Sequence, residues 1–177
     1  MPFDTLPTRS SHRLPLFDYR SPLTYFLTIC TNQRERSLGE VRENTTHLTL
    51  VGKMVEDEWL RTPLVRPGVA LDEWIIMPDH VHGILTLPAF DFKDQNEQGD
   101  PSLQCAPGYR ARSLASVVGG FKAACTRRFQ EMQGDRTDSL WQRNYYEAII
   151  RSEARLEEVR KYIRENPVRW ILKREHG

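Results

Sequence analysis

Apolar and polar positions along this chain change their period several times, and each change marks an element. Leu23–Thr31, LTYFLTICT, is dense in β-branched and aromatic residues and predicts a strand. Residues 32–36 are polar and read as a turn, with a short strand expected through Leu38 and Val41. Residues 46–61 carry Leu50, Met54, Glu58 and Trp59 at helical spacing. Thr46 is the expected cap of that helix, and Thr62-Pro63 its expected end. Val69–Met77 and His80–Leu87 predict two strands joined at Pro78-Asp79. Ser113 caps a predicted helix running to about Met132, in which Gly119-Gly120 implies a close backbone approach. Trp141–Ile150 reads as a strand. Ser152 then caps a helix over Glu153–Glu165, with Leu156, Val159 and Ile163 as its apolar stripe and Pro167 as its stop.

The order strand, helix, strand, strand, helix, strand, helix predicts an α+β fold. It is a ferredoxin-like split βαβ antiparallel sheet with an extra C-terminal helix. Residues 1–21 read as an N-terminal arm and 22–177 as one domain, within which 88–112 form an exposed loop. A chain of 177 residues is long enough for one proper core.

Charge adds one feature. The net value is +1, but residues 1–100 hold 10 Lys and Arg against 15 Asp and Glu. Residues 101–177 hold 15 against 9, so the halves carry −5 and +6. A basic C-terminal half fits a polyanion surface or, equally, a solvated helix face. No apolar run approaches membrane-spanning length, and no signal-peptide core opens the chain, so no membrane partner is expected. Three scattered cysteines argue against a disulfide framework and for a reducing, cytoplasmic setting; Cys30 is expected in the core.

The candidate chemistry begins with Asp79-His80-Val81-His82-Gly83. Side chains alternate faces along a strand, so His80 and His82 point the same way. Two partly exposed imidazoles side by side are half of a divalent-metal site, or simply polar surface. On the last helix Tyr162 and Asn166 are four apart, hence neighbours on one face. Asn166 precedes a proline and is expected at the helix C-terminus, whose dipole favours a cation. Its amide oxygen added to the two imidazoles makes an N/N/O set suited to Mg²⁺ or Mn²⁺. A tyrosine hydroxyl one turn away would face a phosphate bound there, although a helix tyrosine is more commonly a packing residue.

PDHVHG, SLASVVGGFKAACTRR, WQRNYYEAIIRSEARL and YIRENPVRW, in this order, resemble the single-tyrosine HUH transposases, of the insertion-sequence-200 type. The chain is most similar to the REP-associated tyrosine transposases, over about residues 20–172. The resemblance implies metal-dependent cleavage and rejoining of single-stranded or hairpin DNA through a covalent 5′-phosphotyrosine. It implies Tyr162 as nucleophile, His80 and His82 as metal ligands, and Asn166 as a third ligand where many insertion-sequence members have Gln. It implies a monomer or a homodimer. Tyr145 and Tyr146 compete for the nucleophile's role but belong to a sheet strand. Lys122, Arg127 and Arg128, with Arg110 and Arg112 before them, are candidate contacts to the DNA backbone. Two other readings share these residues: a structured single-stranded-DNA-binding protein without catalysis, and a small metal-dependent nucleotide hydrolase with no use for Tyr162.

Overall fold

The computed structural model describes residues 22–89, 113–134 and 139–175. The predicted N-terminal arm and nearly all of the predicted loop, with Arg110 and Arg112, lie outside the described residues. Strand β1 (Leu23–Cys30) leads through a 3-10 turn, Asn32–Arg34, into a hairpin of β2 (Gly39–Arg42) and β3 (Thr45–Leu48). Helix α1 (Leu50–Val65) follows, then β4 (Ala70–Met77), β5 (His80–Leu87), α2 (Leu114–Gln133), β6 (Tyr146–Ile150), α3 (Glu153–Arg164) and α4 (Asn166–Glu175).

The main sheet has the order β4-β5-β1-β6 with every neighbour antiparallel. That is the predicted ferredoxin-like arrangement, since β1-α1-β4 and β5-α2-β6 are its two interleaved halves. The two faces of the sheet take different partners. Leu27, Ile29, Val81 and Leu85 point to one side, where they pack with Val55 and Trp59 of α1 and Phe121 and Cys125 of α2. Phe26 and Ile84 point to the other, where Val159 and Ile163 of α3 cover them. The predicted stripe of the last helix is therefore the seam that docks it.

Four boundaries differ from expectation. The first helix begins at Leu50, capped by Thr49, whose hydroxyl accepts from Gly52 N at 3.0 Å. Thr46 is instead in β3, paired with Val41 across a turn at Glu43-Asn44 (φ 50° and 61°). Hairpin pairing thus overrides the helical period at residues 45–48. Pro63 lies inside α1, two residues before its end at Val65, where little of the helix remains beyond it. Trp141 precedes β6; it makes an isolated bridge to Thr31 and is buried with Phe121. Pro167 does not end the chain's helical run. Asn166 and Pro167 open α4, where a proline's fixed φ and missing N–H are tolerated.

The glycines also sort themselves. A Cβ on Gly119 meets nothing, and one on Gly120 would meet the Arg66 guanidinium at 2.9 Å, so the expected backbone approach is a side-chain approach. Gly83 is the tight position. A Cβ there would lie 2.3 Å from Trp59 Cζ2 and 2.7 Å from Cη2, inside the larger core. The glycine after His82 leaves room for the α1 indole on the face of the sheet opposite the two histidines.

Charged side chains fasten α3 to the sheet's edge. A register shift between Leu71 and Trp74 of β4 sets Asp72 and Glu73 toward the helix. Arg160 grips Asp72 with a fork, Nη2–Oδ2 2.7 Å and Nε–Oδ1 2.9 Å. Arg164 reaches Glu73 at 3.0 Å and Glu157 at 2.8 Å.

Two predictions follow from this packing. Gly83→Ala should destabilise the fold by about 1–3 kcal/mol through overpacking, read as a lowered urea midpoint. Combining it with Trp59→Phe should recover part of the loss, and a fully additive double variant would refute the contact. The hydrogen bonds and charge of Arg160 hold the Asp72 carboxyl below the usual range. The unfolded chain therefore binds that proton first, and the pair's contribution is present above about pH 4 and lost as pH falls through the folded value. Asp72→Asn should cost about 0.5–1 kcal/mol at neutral pH and flatten the acid limb of the stability profile.

Candidate active site

The histidine pair is built by the β1–β5 register. Cys30 opposes His80 and Thr28 opposes His82, all on the α3 face of the sheet. Asp79, in the turn entering β5, sits behind His80, its carboxylate 2.5 Å from Nδ1. A carboxylate there fixes Nδ1 as the protonated nitrogen and leaves the Nε2 lone pair facing outward. Thr28 Oγ1 lies 2.9 Å from His82 Nδ1 and can accept its proton in the same way. The two Nε2 atoms then face each other at 3.1 Å. Both can present lone pairs only if a positive centre lies between them, and a shared proton is the alternative occupant.

The histidines are more enclosed than expected, at 6% and 5% exposure for His80 and His82. Burial, and then the neighbouring His80, hold His82 well below the ordinary imidazole range, so it is neutral at physiological pH. Neutral imidazole is the ligating form. Among the described residues no cluster of three His, Cys, Asp or Glu side chains could hold a metal. Among the described residues a third donor is therefore an amide, hydroxyl or backbone oxygen, and Asn166, 6% exposed, lines the same cavity. The donor set fits a hard or borderline divalent cation with open positions better than a closed structural zinc site.

Helix α3 brings the tyrosine. The Tyr162 ring stands edge-on to Phe26 at 6.0 Å and to His82 at 5.3 Å. Val159 and Ile163 are buried beside it, which leaves Tyr162 half-buried at the seam's edge. The helix is interrupted at Glu165, so Asn166 belongs to the first turn of α4 instead of the end of one long helix. The dipole expected to favour a cation at Asn166 is thus not simply that of a helix C-terminus.

Tyr162, Asn166, His80 and His82 share one open cavity of about 790 Å³. Its described wall carries Arg34, Arg155, Lys161, Arg169 and Lys173 against one acid, Glu158. Several of these cations already hold carboxylates. Arg155 bonds Glu158 at 2.8 Å, Arg169 bonds Glu165 at 2.9 Å, and Lys161 lies 3.7 Å from Glu165. A phosphate entering the cavity would compete for them.

Tyr146 also lines this cavity, edge-on to Phe26 at 6.2 Å, whereas Tyr145 packs against the larger core. Cys30 is buried as expected, and its thiol is raised chiefly by burial and accepts from Arg34 Nη1 at 3.0 Å. The candidate DNA contacts of α2 lie apart from this wall. Lys122 donates to the carbonyls of Gln142 and Arg143 at 2.5 and 3.0 Å, and burial lowers its pKa. Arg128 is paired with Glu58 at 2.8 Å and Asp57 at 3.5 Å. Arg127 is exposed and borders a separate shallow groove with Arg143.

Asp79, Thr28, Arg34 and Arg169 also belong to the site, although no sequence motif singles them out. Asp79 was still legible, since a carboxylate beside a histidine ligand is a common orienting partner. Thr28 and Arg34 carry no local signal, because only strand pairing and the turn after β1 bring them near.

No known family profile matches the chain. An uncharacterized protein of Haemophilus influenzae is 32% identical over 169 residues, covering 92% of this chain and 89% of that one. A REP-associated tyrosine transposase, solved bound to a REP hairpin, superposes with a TM-score of 0.56 at 21% identity. That match covers 91% of this chain and 74% of the other. Among the described residues no helix is long and apolar enough to cross a membrane. The chain thus belongs to one protein family with the Haemophilus influenzae protein, and it has the fold of a REP-associated tyrosine transposase.

Proposed function

We propose that this protein cuts and rejoins single-stranded DNA through a covalent link between Tyr162 and a 5′-phosphate. One observation carries the reading: the Tyr162 ring lies 5.3 Å from His82, whose Nε2 faces that of His80 at 3.1 Å, in one cation-rimmed cavity. A surface histidine pair has no need of a tyrosine, and a packing tyrosine has no need of a cavity with this charge. One structural neighbour is a REP-associated tyrosine transposase bound to a REP hairpin, which agrees with the reading.

His80, His82 and the Asn166 amide oxygen are the residues that would hold a divalent cation. Bound there, Mg²⁺ or Mn²⁺ would neutralise charge on the non-bridging oxygens of a phosphodiester. Asp79 and Thr28 keep the two rings turned so that both Nε2 atoms point into the cavity. Tyr162 supplies the nucleophile, its ring held edge-on by Phe26. The phenolic oxygen forms a bond to phosphorus as the bond to the 3′ oxygen breaks. The phenol loses its proton and the departing 3′ oxygen gains one, so the step is balanced without a further reactant. Reversal, with a 3′-OH attacking the tyrosyl ester, rejoins a strand without ATP. Arg155, Lys161 and Arg169 hold flanking phosphates, exchanging their present carboxylate partners for them.

The metal ligands are tested directly. His80→Ala and His82→Ala should each lose Mn²⁺ binding in titration calorimetry while unfolding as cooperatively as the parent. Asp79→Ala should weaken binding about 10- to 100-fold without abolishing it. Unaltered Mn²⁺ affinity in both histidine variants would remove the metal from this site.

The nucleophile is tested on a denaturing gel with labelled hairpin-bearing single-stranded DNA and Mn²⁺. Tyr162→Phe should fold, bind metal and bind DNA, yet form no covalent adduct and cut nothing. Tyr146→Phe and Tyr145→Phe should retain the adduct. An adduct that persists in Tyr162→Phe, or vanishes only in Tyr146→Phe, moves the nucleophile to another element. Tight DNA binding with no adduct in the parent protein would favour a binding protein without catalysis.

A further inference from the structure

We propose that Trp170 and Arg36 form a stacking subsite for one unpaired nucleobase beside the phosphate that Tyr162 attacks; the inference rests on the DNA-cleaving reading and extends it. The chain has four tryptophans. Trp59 and Trp141 are buried in the larger core and Trp74 packs against it. Trp170 belongs to neither core cluster. It is half-buried on α4 and lines the cavity that holds His80, His82 and Tyr162. Its ring lies 6.0 Å from the His80 ring, tilted by 42°, so it reaches the centre of the site.

The Arg36 guanidinium lies over the Trp170 ring, 5.5 Å from its centroid. Arg36 is exposed and sits on the coil between the turn after β1 and β2, so it can lift without disturbing an element. An indole face covered by a movable guanidinium is a place where a flat base can insert, stacking on the indole and under the arginine. The cavity's cations stand within the same wall. Charge for the backbone alternating with an aromatic face for the base is the pattern that holds a single strand. A duplex keeps its base faces stacked internally and cannot offer one here, so the subsite favours unpaired nucleotides. Stacking reads the π-face of any base, which gives affinity and position with little sequence preference.

The test uses the full chain, Mn²⁺ and a hairpin oligonucleotide with a single-stranded flank. A set of oligonucleotides places one abasic residue at each flank position in turn. In the parent protein one abasic position next to the cleaved linkage should weaken binding about 5- to 100-fold. Trp170→Leu keeps apolar bulk without a π-face. It should weaken binding of the intact strand by a similar factor, show no further loss at that abasic position, and keep Mn²⁺ affinity. Trp170→Phe should recover most of the binding. If Trp170→Leu binds the strand as the parent does, or keeps the full abasic penalty, the subsite is overturned. A parallel loss of Mn²⁺ affinity would also overturn it, assigning Trp170 to shielding the histidines. Absence of strand binding by the parent protein would instead overturn the DNA reading on which the subsite rests.

Discussion

Strands β1 and β5 pair antiparallel from Leu23–Leu87 to Cys30–His80, and the candidate site depends on that register. It sets Thr28 against His82 Nδ1 and sends both imidazoles to the α3 face. A slip by one residue would turn every side chain of β5 over. The imidazoles would then drive into Trp59, and Gly83 would face the cavity with no side chain to offer. Gly83 and Trp59 together oppose that slip, because only a glycine fits beneath the indole. The packing on one face of the sheet thereby protects the geometry of the chemistry on the other.

The second half of the site arrives on α3, whose sequence is distant from the histidines. Its apolar contact with the sheet is small, centred on Phe26, Ile84, Val159 and Ile163. The Arg160–Asp72 fork and the Arg164–Glu73 pair supplement it along the β4 edge. These pairs are partly exposed and each contributes modestly, but both lie within two residues of Tyr162 along α3. They flank the seam that brings the Tyr162 ring 5.3 Å from His82. Helix α4, which starts straight after the interruption at Glu165, brings Asn166, Arg169 and Trp170 to the wall of the same cavity. The Arg169 guanidinium, 5.6 Å from the centre of the Tyr162 ring, ties the two helices together.

The alternation of β5 by itself placed His80 and His82 together, whereas Tyr162 and Asn166 fall on successive helices and meet only as walls of one cavity. The element order likewise determined the ferredoxin-like sheet, because two β-α-β runs of this length have few ways to bury their apolar faces. Local patterns could not separate β3 from α1, since Thr45–Leu48 satisfies a strand only once β2 lies alongside. Nor could they show that Asn166-Pro167 starts a helix, because a proline reads as a stop from one side and a start from the other. The assembly of the two motifs across eighty residues is a tertiary event. So are the carbonyl bonds that engage Lys122, the carboxylates that engage Arg128, and the rise of Trp170 into the cavity instead of the core. Sequence periodicity reports which side chains share a face of their own element. Which faces meet, and which cations are already engaged, is decided by packing between elements that no local period encodes.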